Sequence, residues 1–181
     1  MTAGPAGTDV GVGTAATATA IPSADDGMVR RDTGLVWGLK DRFLDYVERW
    51  PGSTVDLAPG SGRLPDGRFY FAPDPQRPAG AWWFRGGLRI RAHEGLLDVT
   101  VADPRVEARG SAHVLTADTW NEDRWERLVF ADLACARTAE DGILVVTATA
   151  SLHHEATGVF DGTYVAGEDL APVHLRLERS G

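Results

Sequence analysis

The chain is poor in several things that usually betray a function. Its 181 residues include one cysteine, Cys135. An internal disulfide and a thiolate metal cluster are therefore excluded. Cys135 lies in the apolar run 133–136, LACA, where a buried, inert thiol is expected. Lysine is almost missing: Lys40 is the only one, and 18 cations against 26 acids leave a net charge of -8. That balance excludes a nucleic-acid binder, which needs basic surface to displace counterions. It equally disfavours docking on an anionic membrane surface. The sequence has no run of about 18 apolar residues, so membrane insertion is not expected. It also lacks a GxSxG elbow, a P-loop, a GxGxxG opening a helix, a CxxC pair and an HExxH pair.

What is present describes one globular domain with a tail. Hydrophobic residues make up 43% and charged residues 24%, ordinary values for a packed core. The first 27 residues are dominated by Gly, Ala, Thr and Val, without a basic n-region or a leucine-rich h-region. Residues 1–30 are accordingly expected to be a disordered tail, 31–181 the domain, and the location cytoplasmic.

Residues 33–50, TGLVWGLKDRFLDYVERW, carry apolar side chains at Leu35, Val36, Leu39, Phe43, Tyr46, Val47 and Trp50. The spacing predicts an amphipathic helix with one buried stripe, capped by Thr33 and stopped by Pro51-Gly52. Beyond residue 66 the period changes. Short β-branched or aromatic runs begin at Arg68, Trp82, Leu88, Leu96, Arg105, Arg127, Ile143 and Val173, with Gly or Pro in nearly every gap. Residues 117–126, ADTWNEDRWE, read as a polar loop or short helical excursion. About eight short strands with one early helix predict a mainly β fold: an antiparallel sandwich or barrel-like domain with the N-terminal amphipathic helix packed on it. The aromatic clusters at 69–71 and 82–84 are expected to fill the core, although they could line a flat apolar cavity.

Two residues stand out chemically. Tyr46 shares a helical face with Leu39, Phe43 and Trp50; periodicity alone leaves it a core tyrosine with its hydroxyl at the rim. His93 follows the alternating run 88–92 and would share the face of Arg89 and Arg91, unless the turn at Glu94-Gly95 re-aims it. An imidazole beside a phenol lowers the cost of losing the phenol proton, and a phenolate is a hard ligand suited to ferric iron. The run His153-His154-Glu155 looks metal-binding, but strand alternation would send the two imidazoles to opposite faces. His113 and His174 have no evident partners and read as structural.

Three blocks resemble one family in the right order. Residues 36–47, VWGLKDRFLDYV, are similar to the W-G-x-K-x-x-F-x-x-Y-V opening of HtaA domains, the haem-binding modules of Gram-positive haem uptake proteins. Residues 84–106, FRGGLRIRAHEGLLDVTVADPRV, resemble the family's central block around G-H-x-G-x-L-D. Residues 160–172, FDGTYVAGEDLAP, resemble its closing F-x-x-F-Y-x-x-G-x-x-L-x-P. The resemblance implies a haem-binding β domain with haem b as cofactor. It assigns Tyr46 as axial ligand to ferric haem, His93 as the histidine bonded to it, and Tyr164 as a residue near the haem edge or propionates. Arg42 stands where haem-transfer members often have a small hydroxyl residue and is expected to pair with a propionate. Thr163 replaces the aromatic that usually precedes the closing tyrosine.

The preferred reading is a haem-binding carrier, buffer or sensor, with a homodimer left open. The alternative is a haem-dependent oxidative enzyme whose distal acid–base group would come from His153, His154, Arg89 or Arg91. A third reading, a haem-free module working through protein contacts, fits poorly with the retained tyrosine and histidine.

Overall fold

The computed structural model describes residues 33–121 and 123–178, so the expected tail at 1–30 lies outside the described residues. In chain order the elements are β1 (Gly34–Trp37), α1 (Asp41–Arg49), β2 (Thr54–Leu57), β3 (Ser61–Arg63), β4 (Phe69–Pro73) and β5 (Trp82–Arg85). They continue with β6 (Gly87–Ala92), β7 (Leu97–Arg109), β8 (Ala112–Asn121), β9 (Arg124–Glu140), β10 (Ile143–Leu152) and β11 (Asp169–Glu178). The strands pair in the order β7-β5-β4-β1-β11-β10-β9-β8, and β8 pairs back onto β7. Every pairing is antiparallel. Of sandwich and barrel, the fold is therefore a closed eight-stranded barrel, which removes most free sheet edges. β6 and β2 extend the sheet beyond one half of β7, and β3 lies on β4.

β7 changes partners along its length because it bends. Leu97–Ala102 pair with β6, whereas Arg105 and Val106 pair with β5 and β8. The register shifts between them, at Asp103 (φ 45) and Pro104, a bulge that turns the strand at the barrel corner. The core holds Trp37, Phe69, Phe71, Phe84, Phe130 and Phe160, all fully buried. Trp82 and Trp83 are instead only partly buried, Trp82 packing against the core from its edge, so only part of the two aromatic clusters fills the core.

Three sequence expectations need correction. The helix predicted over 33–50 begins only at Asp41, with Lys40 and not Thr33 at its N-cap. Residues 34–37 form β1, hydrogen-bonded between β4 and β11 and buried on both faces. A continuously apolar central strand mimics a helical stripe when it runs straight into one. The break is at Leu39, whose backbone is left-handed (φ 55) and whose carbonyl accepts from the Ala171 amide at 2.8 Å. The loop expected at 117–126 is the meeting of β8 and β9, paired from Ala117–Leu128 to Asn121–Arg124. The single run from Arg105 to Thr116 is two strands joined by a turn at Gly110 (φ 62).

Candidate functional site

α1 packs Phe43 and Val47 into the barrel and leaves Tyr46 at the edge of that buried stripe, 47% exposed. His93 is re-aimed by the turn that joins β6 to β7. His93 and Glu94 both have left-handed backbones (φ 51 and 56), which carries the imidazole off the face of Arg89 and Arg91 and toward α1. The Tyr46 hydroxyl and His93 Nε2 are in direct hydrogen-bond contact. Their rings stack with centroids 5.4 Å apart and planes inclined by 30°. Trp50, one helical turn on from Tyr46, lies against His93 with centroids 3.9 Å apart. The phenol and the imidazole are thus held together by two ring contacts as well as one hydrogen bond.

The pair forms one wall of an open cavity of about 710 Å³. Phe43, Phe160 and Leu97 supply apolar lining, and Leu96, 90% exposed, projects at the rim. The remaining lining is polar: Arg42, Asp161, Thr163, Tyr164 and Glu168. The four residues nominated from sequence, Tyr46, His93, Arg42 and Tyr164, therefore line one cavity although 122 residues of sequence range separate the outer two. Burial pushes the Tyr164 phenol above its ordinary range, with the Arg42 charge opposing and Glu168 reinforcing the shift. Its hydroxyl is accordingly a neutral donor. Glu168 is held below the usual carboxylate range by the Val165 amide and by Lys40.

Lys40, the only lysine of the sequence, is not among the residues nominated from it for the site. It is buried; its Nζ donates to the Asp169 carbonyl at 2.7 Å, pairs with Glu168 at 3.2 Å and lies 4.7 Å from the centre of the Tyr164 ring. The sole lysine thereby ties the start of α1 to the polar side of the cavity. Its signals were its rarity and its match to the lysine of the W-G-x-K opening block. Leu96 was likewise passed over; an apolar side chain in an exposed turn was its signal.

Other nominated groups lie elsewhere. Arg89 donates to Asp98 (Nε to Oδ1, 2.8 Å) and Arg91 to Asp56 (2.7 Å), both outside this cavity. His153 and His154 do not line it either, which leaves the enzymatic alternative without its proposed distal groups. Nor do these two sit in a strand, as taken for granted from sequence: β10 has ended, and a 3-10 helix, His154–Phe160, begins. His113 does have partners. The Arg137 guanidinium donates to its Nε2, it stacks on Trp82 at 5.5 Å, and burial reinforced by the Arg137 charge lowers its pKa.

With this geometry in place, the kinship of the chain is decided by sequence. The Htaa family model, describing the HtaA domain, matches residues 32–176. The chain belongs to the HtaA family. Solved structures share the fold. The N-terminal domain of HtaA from Corynebacterium glutamicum superposes with a TM-score of 0.69 at 22% identity, covering 83% of this chain and 98% of that one. The C-terminal domain of the same protein gives 0.64 at 22% identity, covering 80% and 95%. The heme binding protein HtaB from Corynebacterium glutamicum gives 0.67 at 18% identity, covering 80% and 91%. Among curated proteins no sequence match is found.

Proposed function

We propose that this HtaA domain binds ferric haem b, iron protoporphyrin IX, with the Tyr46 phenolate as iron ligand and His93 as its hydrogen-bond partner. One observation carries the reading: the Tyr46 hydroxyl meets His93 Nε2 on the wall of a cavity of about 710 Å³. That volume falls within the roughly 300–1,000 Å³ of small-molecule sites. Family membership supports it, as does likeness in fold to a heme binding protein.

The donor set fits the group. A phenol ligates iron only after losing its proton, and tyrosinate is an established axial haem ligand. His93 is placed to take that proton and, once protonated, to donate back to the phenolate oxygen. Trp50, lying tilted against the imidazole, keeps it in place. When bound, haem supplies a ferric centre whose charge a hard anionic oxygen offsets. Arg42 offers a charge-assisted donor and Tyr164 a neutral hydroxyl to the propionates. Leu96 and Leu97 suit the hydrocarbon edge.

An exposed ligand at an open rim favours exchange over permanent retention. This suits a carrier, buffer or sensor. A cytoplasmic location belongs to the same proposal and is tested by cell fractionation. The binding test is a hemin titration followed by absorption. Wild type should saturate near one hemin per chain and develop a tyrosinate charge-transfer band toward the red. Tyr46→Phe should lose the band, and His93→Ala should lower affinity by about 10- to 100-fold. An unchanged band in Tyr46→Phe overturns the ligand assignment; no spectral response to hemin overturns haem binding altogether.

A further inference from the structure

The run His153-His154-Glu155 follows the last residue of β10, Leu152. If the strand went on, the imidazoles would diverge. The chain turns instead: His153 is extended (φ -78, ψ 149), and the 3-10 helix opens at His154. The turn lays the two rings side by side, with centroids 4.1 Å apart and planes inclined by 38°. One ligating atom from each of the three side chains then lies within 4.8 Å of the other two. Donors around a tetrahedral zinc ion are roughly 3.3 Å apart at ordinary Zn–N and Zn–O lengths. The exposed His154 side chain, by turning about its torsions, is the ligand that would close the difference.

The cluster is also anchored. The His153 amide donates to the Phe130 carbonyl at 3.0 Å, and the Val129 amide donates to Glu155 Oε2 at 3.0 Å. Two consecutive residues of β9 thus hold the backbone of one ligand and the carboxylate of another. The second carboxylate oxygen, Oε1, lies 4.0 Å from His153 Nδ1. A ligand carboxylate oriented by an outer hydrogen bond is the arrangement that metal sites use to fix geometry. Two imidazoles and one carboxylate form a borderline donor set that prefers zinc or copper to magnesium or calcium.

We propose that His153, His154 and Glu155 bind one divalent late transition-metal ion at a site separate from the Tyr46 cavity. None of the three lines that cavity, but the 3-10 helix that starts at His154 ends at Phe160, which does. A seven-residue element therefore has the metal ligands at one end and a wall of the cavity at the other.

The test uses the full chain, with and without saturating hemin, titrated with Zn²⁺ by calorimetry and with Cu²⁺ by electron paramagnetic resonance. The expected result is about one ion per chain at micromolar dissociation constant, with nitrogen hyperfine structure in the copper spectrum. His153→Ala and His154→Ala should each weaken binding at least about tenfold. Glu155→Gln, which keeps an acceptor for the Val129 amide, should weaken it less. Because His154 is exposed, its variant separates lost ligation from lost folding; its thermal melt and hemin titration should match wild type. His113→Ala should leave metal binding unchanged. Binding no tighter than millimolar, or equal affinity in the His153 and His154 variants and wild type, overturns the proposal.

Discussion

Lys40 shows how one side chain can join parts of the molecule that local sequence cannot connect. It stands at the N-cap of α1, where a helix gains nothing from a positive charge, because the exposed amides there already form the positive end of the dipole. Its stabilising partners come from the far end of the chain: the Asp169 carbonyl, 129 residues away, and the Glu168 carboxylate. Lys40→Met keeps the length and apolar stem but removes three donors, leaving the Asp169 carbonyl without its ammonium partner. A charge-assisted bond of this kind contributes about 1.5–3 kcal/mol, so chemical denaturation should show a loss of that order. Hemin affinity should fall too, since the ammonium lies over the Tyr164 ring. Unchanged stability would mean that the Lys40 contacts contribute nothing net. Tyr46 and His93, by contrast, were legible as candidates because each sits in a local pattern, a helical stripe and a strand end. Their pairing was legible through the family resemblance, and the turn at Glu94-Gly95 as a means of re-aiming His93; the left-handed backbone at His93 and Glu94 was not, because nothing in the alternation of residues 88–92 encodes it.

Elements were legible where their period was clean. β5 and β10 lie where the apolar runs beginning at Trp82 and Ile143 put them, and β6 alternates buried Leu88, Ile90 and Ala92 with exposed Arg89 and Arg91. β1 was not legible, because a strand buried on both faces has no alternation, and its apolar run merges with the stripe of α1. The β8–β9 tip was not legible either, because its outward side chains are polar and its two exposed tryptophans carry no period. Junctions between elements carry the tightest constraint. Gly86 separates β5 from β6 with φ 109, and a Cβ there would lie 2.6 Å from the Gly60 carbonyl carbon and the Ser61 amide nitrogen. Both obstacles are backbone, so neither can rotate aside. Its amide is also engaged, donating to Asp103 Oδ1 at 3.0 Å across the β7 bulge. Gly86→Ala should cost about 2 kcal/mol or more from conformation and clash together, read as a lowered denaturation midpoint with unchanged slope. Gly95, with φ 96 but open space around it, supplies the comparison: an alanine there meets strain alone and should cost less.

At the scale of the whole barrel, β7 to β11 pair in sequence order, but closure is long-range because β1 pairs with β11, so the barrel cannot close until the chain is nearly all in place. Charge pairs sit around the outside of this closed sheet, and their shifts share a direction on the acid side. Asp66 is lowered chiefly by Arg68, Asp98 by Arg89, Glu126 by Asn121 with Arg124 behind it, and Glu168 by the Val165 amide and Lys40. A carboxyl whose pKa is depressed in the fold binds fewer protons there than in the unfolded chain. Its contribution is complete above the ordinary carboxylate range, about pH 4, and is lost as pH falls through the folded values. His113 works in the same sense from a higher starting point. Burial and the Arg137 charge disfavour its imidazolium, so the unfolded chain takes up that proton first as pH falls below about 6.5. On the alkaline side the Tyr164 phenol is raised, so stability should fall once the unfolded phenol ionises near pH 10. The melting temperature should therefore form a plateau across neutral pH, decline gently below about 6.5 and steeply below about 4. His113→Asn should remove the gentle decline and leave the steep one. A melting temperature that rose on going from pH 7 to pH 5 would contradict the assigned sign at His113, and with it the reading of the Arg137–His113–Trp82 stack as a contact that keeps the imidazole neutral.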